Sequence, residues 1–229
     1  MLYNPRPLQR HIPNIITSIR LVLAGAFFTI LSFYQYEGRG DPLLTYSAFV
    51  IYILAVVSDW LDGYLARKWH VASAFGRVVD PFADKILVLG SFIFFAGKNF
   101  IIPELEGPGA KMVVRTITGV APGMVVLLLA RELLVTSLRG ISESGGKNFA
   151  AVWAGKFKMG FQSATIFVIL VYVSFRKDML DSGHGSLEHA TRILRDVGIW
   201  GTVIITLYSG MTYIRKAAAL FGGPPGDAV

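Results

Sequence analysis

Six apolar segments constrain the fold of this chain more than any other feature. A helix needs about 20 mostly apolar residues to cross a bilayer. The segments cover residues 14–34, 43–65, 86–97, 115–138, 158–175 and 197–214, of which the third is short and follows a polar stretch. Only 16% of the residues are charged, whereas soluble domains have about 25%. We therefore predict an all-α integral membrane protein with six transmembrane helices.

The positive charge indicates how such a protein is oriented. The formal net charge is +7, and if the six segments alternate across the membrane, most of the 22 Lys and Arg residues fall on the side of the N-terminus. The positive-inside rule then predicts that both termini are cytoplasmic. No linker divides the chain, so we expect a single membrane-embedded domain over residues 1–229, with a disordered tail from about residue 220.

Four aspartates join the second and third segments. Asp59 and Asp62 are three residues apart, and Asp80 and Asp84 are four apart, so each pair lies on one helix face. An Asp at the bilayer centre costs about 2.5–3.5 kcal/mol, so four facing carboxylates need compensation. Divalent cations prefer carboxylate oxygens, and four such residues suit a two-metal site that holds a diphosphate. The absence of cysteine excludes thiolate chemistry.

Small and basic residues follow the first aspartate pair. Gly63 and Ala66 let a bulky ligand approach the helix backbone, and Arg67 can neutralise a phosphate. The alternative is that the aspartates cap helices or pair with nearby cations. The candidates for such pairing are Arg67, Lys68, Arg77 and Lys85. Four carboxylates on two matched faces argue against that alternative.

The complete pattern, D-x2-D-G-x2-A-R-x8-G-x3-D-x3-D, resembles the signature of the CDP-alcohol phosphotransferase family. The matching positions are Asp59, Asp62, Gly63, Ala66, Arg67, Gly76, Asp80 and Asp84. The resemblance implies the six-helix CDP-alcohol phosphotransferase fold, a homodimer and a divalent cofactor, two Mg²⁺ ions with Mn²⁺ as the alternative. It also implies an enzymatic reaction in which an alcohol attacks the diphosphate of a CDP-linked lipid and CMP leaves.

The same resemblance assigns roles to individual residues. It makes the four aspartates metal ligands and Asp84 the general base. The N-terminal run P-N-x-x-T-x-x-R adds Asn14 and Thr17 to the cytidine pocket, although Asn14 is also a plausible helix cap. The expected residues for CDP-diacylglycerol binding are Asn14, Thr17, Gly63, Ala66, Arg67, Ser73 and Gly76.

A second segment, residues 131–162, resembles the branch of the family whose acceptor is glycerol 3-phosphate. It contains R-E-x5-L-R followed by G-K-x-K-x3-Q. We expect a basic pocket for the acceptor phosphate, with Glu132 orienting one arginine. The pocket residues are Arg131, Arg139, Lys156 and Lys158. The alternative role of these cations is topology or binding of anionic lipids.

The expected function is transfer of the phosphatidyl group of CDP-diacylglycerol to glycerol 3-phosphate, which gives phosphatidylglycerophosphate and CMP. We expect the active site to face the cytoplasm in a bacterial plasma membrane, with membrane lipids and no nucleic acid as partners. Within the family, a cardiolipin synthase and a phosphatidylinositol-phosphate synthase stay open. A cation transporter is the alternative from another class, because aspartates within a membrane also mark ion pathways.

Overall fold

Long helices dominate the structure. A computed structural model describes residues 7–36, 42–69, 74–106, 111–144 and 153–221. Its helices are α1 (Pro7–Phe33), α2 (Pro42–Trp69), α3 (Ala74–Phe95), α4 (Pro122–Ser144), α5 (Trp153–Asp181) and α6 (Gly185–Phe221). One turn of 3₁₀ helix (Lys98–Phe100) leads into a hairpin of β1 (Ile101–Glu106) and β2 (Lys111–Thr116).

Four of the helices are long and apolar enough to cross a membrane. They are the segments Asn14–Phe33, Pro42–Trp69, Phe157–Asp181 and Gly185–Ala219, which belong to α1, α2, α5 and α6. Helices α3 and α4 do not meet the same measure, because each carries four charged residues. The length and apolar composition of these four helices indicate a membrane protein. The expected count of six spans is reached only if α3 and α4 also cross the membrane.

The hairpin corrects the all-α expectation. The two prolines and two glycines of residues 99–110 predict an external loop, and the fourth apolar segment predicts a span that begins at residue 115. Instead β1 pairs antiparallel with β2, with Ile101 opposite Thr116. The chain then turns at Gly119, whose positive φ of 74° suits glycine. Helix α4 begins only at Pro122, because proline is favoured in the first helical turn, where its missing N–H is not needed.

Other helix limits also differ from the sequence expectation. Helix α3 begins at Ala74 rather than residue 86, and it accommodates Pro81. Both Asp80 and Asp84 therefore lie on a continuous helix, as their four-residue spacing predicted. Helix α6 continues to Phe221, just past the residue from which a tail was expected. Residues 222–229 lie outside the described part.

Close helix packing forms the core. Helix α1 packs on α2 and α3, α5 packs on α6 and α2, and α4 packs on α6. Between helices in a membrane, small residues let backbones and rings approach closely. A Cβ on Gly201 would lie 2.7 Å from Cζ of Phe161, so this ring packs directly on the α6 backbone. Phe27, Tyr52 and Phe92 fill the centre of the bundle.

A paired set of charges lies at the hairpin end of the bundle. We call it the distal cluster; it comprises Tyr36, Tyr172, Arg176, Glu188, Arg195 and Asp196. Arg195 Nη1 donates to the Ile117 carbonyl at 2.5 Å and Nη2 lies 2.6 Å from Asp196 Oδ1. Arg176 Nε lies 3.3 Å from Glu188 Oε1. Two arginines thus meet two carboxylates, and the charges within the distal cluster balance.

Candidate active site

One arginine, Arg20, forms ion pairs with aspartates of both α2 and α3. Nη1 of Arg20, on α1, lies 2.7 Å from Asp59 Oδ1 and 3.0 Å from Asp84 Oδ1, and its Nη2 pairs with Asp62. We call Asp59, Asp62, Asp80 and Asp84 the carboxylate cluster. The expectation that the two pairs face each other across α2 and α3 agrees with this geometry.

Thr17 connects the fourth aspartate. Its hydroxyl lies 2.7 Å from Asp80 Oδ1 and 3.3 Å from Asp62 Oδ2. Thr17 and Arg20 are three residues apart and therefore share one face of α1. Thr17 was expected in the site, whereas Arg20 was counted only among the cytoplasmic cations. The signal for Arg20 was available, because it is the last residue of the P-N-x-x-T-x-x-R run.

The solvent exposure of the side chains increases across the carboxylate cluster. Arg20 is 1% exposed and the Asp62 side chain 7%, whereas Asp84 is 23% and Asp59 48% exposed. A buried charge needs a partner, and Arg20 supplies it to the inner carboxylates. The more open Asp59 and Asp84 line an adjoining groove, so a ligand can reach them.

The donor set of the cluster fits a divalent cation. Four carboxylates around one guanidinium leave an excess of negative charge, and all ligand atoms are the hard oxygens that Mg²⁺ prefers. Within the described ranges, no group of three or more His, Cys, Asp or Glu side chains is already spaced as a metal site. In this arrangement the Arg20 guanidinium holds the carboxylates together, and metal ligation by them is a proposal taken up below.

The groove beside the cluster is large and mostly apolar. It has a volume of about 590 Å³ and lies between α2, α3 and α5. Arg20, Asp59 and Asp84 stand at its polar end. Its apolar wall includes Tyr52, Ile53, Val56, Leu87 and Phe167. Such a groove matches an amphipathic ligand with a charged head and hydrocarbon chains.

The residues expected to bind the CDP group are only partly described. Asn14 is half-buried on α1, and Arg67 is exposed, with Nη1 3.7 Å from the position of a Cβ on Gly63. Arg67 therefore lies over Gly63 and does not pair with the carboxylate cluster in the contacts described. Ser73 and the side chain of Ala66 lie outside the described part, and Gly76 is placed only as a member of α3.

The expected acceptor cations lie on α4 and α5. Glu132 pairs with Lys158 and, at 2.7 Å, with Arg131 Nη1, so it orients an arginine as expected. Arg139 Nη2 lies 3.1 Å from Tyr213 Oη. The Nε atoms of both arginines are buried without a partner among the described residues, so each guanidinium retains an unused donor. The side chain of Lys156 lies outside the described part.

A small second cavity is lined by one of these cations, Lys158, and by Asp84 of the carboxylate cluster. Its volume is about 20 Å³. It is lined by Asp84, Lys85, Val88, Leu89, Glu132, Lys158, Met159 and Gln162. Asp84, Val88 and Met159 also line the large groove. Asp84 therefore stands between the apolar groove on one side and, on the other, a small cavity whose lining includes Lys85 and Lys158. Lys85 and Gln162 were not expected as site residues. The sequence signal for Lys85 was its position next to Asp84, and the signal for Gln162 was its position at the end of the G-K-x-K-x3-Q motif.

The fold and the site together define a class of membrane transferase. The sequence model of the CDP-alcohol phosphatidyltransferase family matches residues 10–214, so the chain belongs to this family. The family expected from the aspartate pattern is thereby confirmed, and the protein is a transferase.

Individual relatives carry a more specific name. A protein of Sodalis glossinidius (strain morsitans) is 32% identical over 212 residues, which cover 92% of this chain and 96% of the relative. Relatives from Bacillus subtilis (strain 168) and Escherichia coli (strain K12) are each 29% identical and cover 90% and 93% of this chain and 94% and 97% of their own lengths. All three are named CDP-diacylglycerol–glycerol-3-phosphate 3-phosphatidyltransferase.

Proposed function

We propose that this protein transfers the phosphatidyl group of CDP-diacylglycerol to glycerol 3-phosphate, and so makes phosphatidylglycerophosphate and CMP for phospholipid biosynthesis. The observation that carries the proposal is the position of Asp84 between the apolar groove and the small cavity that Lys85 and Lys158 line. A lipid donor and a phosphorylated acceptor can meet there. The names of the relatives support the same pair of substrates.

The large groove receives the donor lipid. Its apolar wall accepts hydrocarbon, and its polar end brings the diphosphate to Arg20, Asp59 and Asp84. The cytidine side of the donor extends toward the sequence motifs of α1 to α3. The residues proposed for it are Asn14, Thr17, Gly63, Ala66, Arg67, Ser73 and Gly76. Arg67 can donate hydrogen bonds to phosphate oxygens beside Gly63, where the absence of a side chain lets a ligand approach the helix backbone.

The carboxylate cluster holds the divalent cations of the reaction, proposed to be two Mg²⁺ ions, with Mn²⁺ as the alternative. Its four aspartates provide only hard oxygen ligands, and Mg²⁺ takes such ligands together with substrate phosphate. When bound, the cations neutralise the diphosphate and stabilise the leaving CMP. Arg20 offsets part of the repulsion among the aspartates and keeps them assembled.

Asp84 acts as the general base. Its carboxylate takes the proton of the acceptor hydroxyl, and the hydroxyl oxygen forms a bond to the phosphatidyl phosphorus. The bond from that phosphorus to the bridging oxygen breaks, and CMP departs with this oxygen. Asp84 is partly exposed and lines both cavities, so it can reach a hydroxyl that enters from the small cavity.

The acceptor phosphate binds to cations of α4 and α5. The proposed set is Arg131, Arg139, Lys156 and Lys158. Lys158 lines the cavity next to Asp84, and Arg131 reaches the same place through Glu132. An acceptor without phosphate gains nothing from these charges. These charges therefore favour glycerol 3-phosphate strongly over a neutral alcohol. They favour it less strongly over phosphatidylglycerol, the acceptor of a cardiolipin synthase, which also carries a phosphate. Between these two phosphate-bearing acceptors, the names of the relatives favour glycerol 3-phosphate.

The proposed topology is six spans with both termini in the cytoplasm. Helices α3 and α4 complete the four apolar helices, and Asp80, Asp84, Arg131 and Glu132 on them form hydrogen bonds and ion pairs at the site. An even number of spans puts both chain ends on one side, where the exposed Arg215 of α6 satisfies the positive-inside rule. We further propose one catalytic domain, a bacterial plasma membrane location and a homodimer.

The decisive experiment measures CMP release by purified protein in detergent micelles with Mg²⁺ and CDP-diacylglycerol. Labelled glycerol 3-phosphate is compared with phosphatidylglycerol, inositol phosphate and serine as acceptors. We expect release with glycerol 3-phosphate and a labelled phospholipid product. Release with another acceptor alone would reassign the substrate, and no release with any of them would reject the transferase activity proposed here.

A further inference from the structure

Gln162 is a buried amide in the small cavity beside Asp84, and the proposed mechanism does not use it. It is 1% exposed, and its Nε2 has no hydrogen-bond partner among the residues that the structure describes. Most buried polar groups in proteins are hydrogen-bonded. An unused donor at the wall of a cavity that also contains Asp84 and Lys158 is therefore a candidate contact for a ligand.

The position of Gln162 along α5 determines which part of a ligand it can reach. It follows Lys158 by four residues and lies on the same helix face. Helix α5 begins at Trp153, so Gln162 is one turn further into the bundle than Lys158. The cations nearer the start of the helix suit a phosphate. A neutral amide deeper in the bundle suits an uncharged hydroxyl.

We infer that Gln162 donates a hydrogen bond to the central hydroxyl of glycerol 3-phosphate and thereby selects this acceptor. The inference rests on the proposed function. Glycerol 3-phosphate carries a phosphate at one end, the attacking hydroxyl at the other and a second hydroxyl between them. Lys158 reaches the phosphate, Asp84 the attacking hydroxyl and Gln162 the hydroxyl between. The three side chains line one cavity.

The cavity must widen to admit the acceptor. A volume of about 20 Å³ holds roughly one water molecule. Two long and flexible side chains, Lys85 and Met159, line it and can move. Met159 is 42% exposed. Lys85 Nζ is bound to Thr136 Oγ1 at 2.7 Å, a contact that an incoming phosphate can replace. Gln162, in contrast, is enclosed and keeps its place.

The test compares two acceptors that differ only in the central hydroxyl. These are glycerol 3-phosphate and 3-hydroxypropyl phosphate, which keeps the phosphate and the attacking hydroxyl. Wild-type protein should prefer glycerol 3-phosphate in kcat/KM by about tenfold or more, because a site that hydrogen-bonds a hydroxyl rejects the analogue that lacks it. The variant Gln162→Met keeps the size of the side chain. It should lose about tenfold with glycerol 3-phosphate and change less than about twofold with the analogue.

Thr206→Val is the matched control. Thr206 on α6 is 0% exposed, its Oγ1 also lacks a partner in the described part of the chain, and it is not among the lining residues of the cavity. Its substitution should leave the ratio of the two kcat/KM values unchanged. The ratio is measured within one preparation, so partial misfolding does not affect it. Gln162→Asn provides a second variant if Gln162→Met does not accumulate, and it should also reduce the preference.

Two results would overturn the inference. One is an equal loss with both acceptors in the Gln162 variants, which would indicate a structural role for the amide. The other is a wild-type protein that uses both acceptors equally well. A wild-type protein that releases CMP with neither of them would instead overturn the proposed function, and the inference with it.

Discussion

The two ends of the bundle both bury arginines against carboxylates, but their charge balance differs. In the distal cluster, Arg176 and Arg195 meet Glu188 and Asp196, and tyrosine hydroxyls take up remaining bonds. In the carboxylate cluster, a single Arg20 pairs with three aspartates, and the fourth, Asp80, accepts a hydrogen bond from Thr17. The distal cluster is balanced by its own side chains, whereas the excess of carboxylates in the carboxylate cluster suits binding of a cation. The difference separates a set of contacts that stabilises the fold from one that prepares a reaction.

The neighbourhood of each cluster supports the same distinction. The Arg195 guanidinium lies 4.5 Å from the centre of the Tyr172 ring and donates to a backbone carbonyl, so it connects α6, α5 and the segment after β2. Asp84 instead faces two cavities. Substitutions at the two ends should therefore affect different quantities, stability at one and turnover at the other.

Asp84→Asn should have the largest effect. The amide keeps the shape of the side chain but cannot accept the proton, and loss of a general base costs about 10²–10⁴-fold in rate. We expect kcat for CMP release to fall by this amount while CDP-diacylglycerol binding is largely kept. Asp196→Asn in the distal cluster is the control and should keep its kcat. Wild-type turnover in Asp84→Asn would remove this residue from the mechanism.

Arg20→Gln should destabilise the protein in a way that depends on divalent cations. Breaking a buried ion pair costs about 3–5 kcal/mol, and here the remaining carboxylates also repel one another. The free energy of unfolding in detergent should fall by this amount in the presence of EDTA, and Mg²⁺ should restore part of it. The exposed Arg215→Gln serves as control. An equal loss with and without Mg²⁺ would mean that the cluster does not bind the cation.

Arg195→Met should lower the stability of the protein without changing its turnover. It removes hydrogen bonds to Asp196 and to the Ile117 carbonyl, a loss of about 2 kcal/mol in the free energy of unfolding. Mg²⁺ should not change this loss, and kcat per folded molecule should stay at the wild-type value. Arg192→Met, at an exposed position three residues earlier, is the control. A fall in kcat would show that the distal cluster takes part in catalysis, and it would contradict the assignment of stability to this end and turnover to the other.

Arg139→Ala should have the smallest effect. Its guanidinium contacts Tyr213 and retains an unused Nε donor, so it can bind the acceptor phosphate. We expect the KM for glycerol 3-phosphate to rise about tenfold and the KM for CDP-diacylglycerol to change less than about twofold. Lys98→Ala, on the hairpin side, should change neither. An equal rise in both KM values would place Arg139 outside the acceptor pocket.

Much of the site follows from helical periodicity. The three- and four-residue spacing of the aspartates places each pair on one face, and the structure brings the two faces together. The compensating cation could not be located in this way. The sequence directed attention to nearby residues such as Arg67 and Lys85, whereas Arg20 is separated from Asp84 by 64 positions. Contacts between distant segments depend on how helices pack, and local spacing does not encode that packing.

The hairpin and the second cavity were missed for different reasons. Residues 99–110 contain two prolines and two glycines, which are typical of a loop, and the pairing of β1 with β2 outweighs this local pattern. The cavity requires side chains of α3, α4 and α5 together. Gln162 belongs to a segment whose motif was recognised, but its burial next to Asp84 is a property of the packed helices.

The groove beside Asp84 also determines how substrate availability must be counted. Several of its lining residues, Val57, Trp60 and Phe167 among them, are exposed on the outer surface of the bundle, so a lipid can enter sideways. For the proposed donor, the relevant concentration is its mole fraction in the surrounding bilayer or micelle. Adding detergent at constant protein and constant total donor should therefore slow the enzyme by surface dilution. Glycerol 3-phosphate arrives from water and follows ordinary molarity.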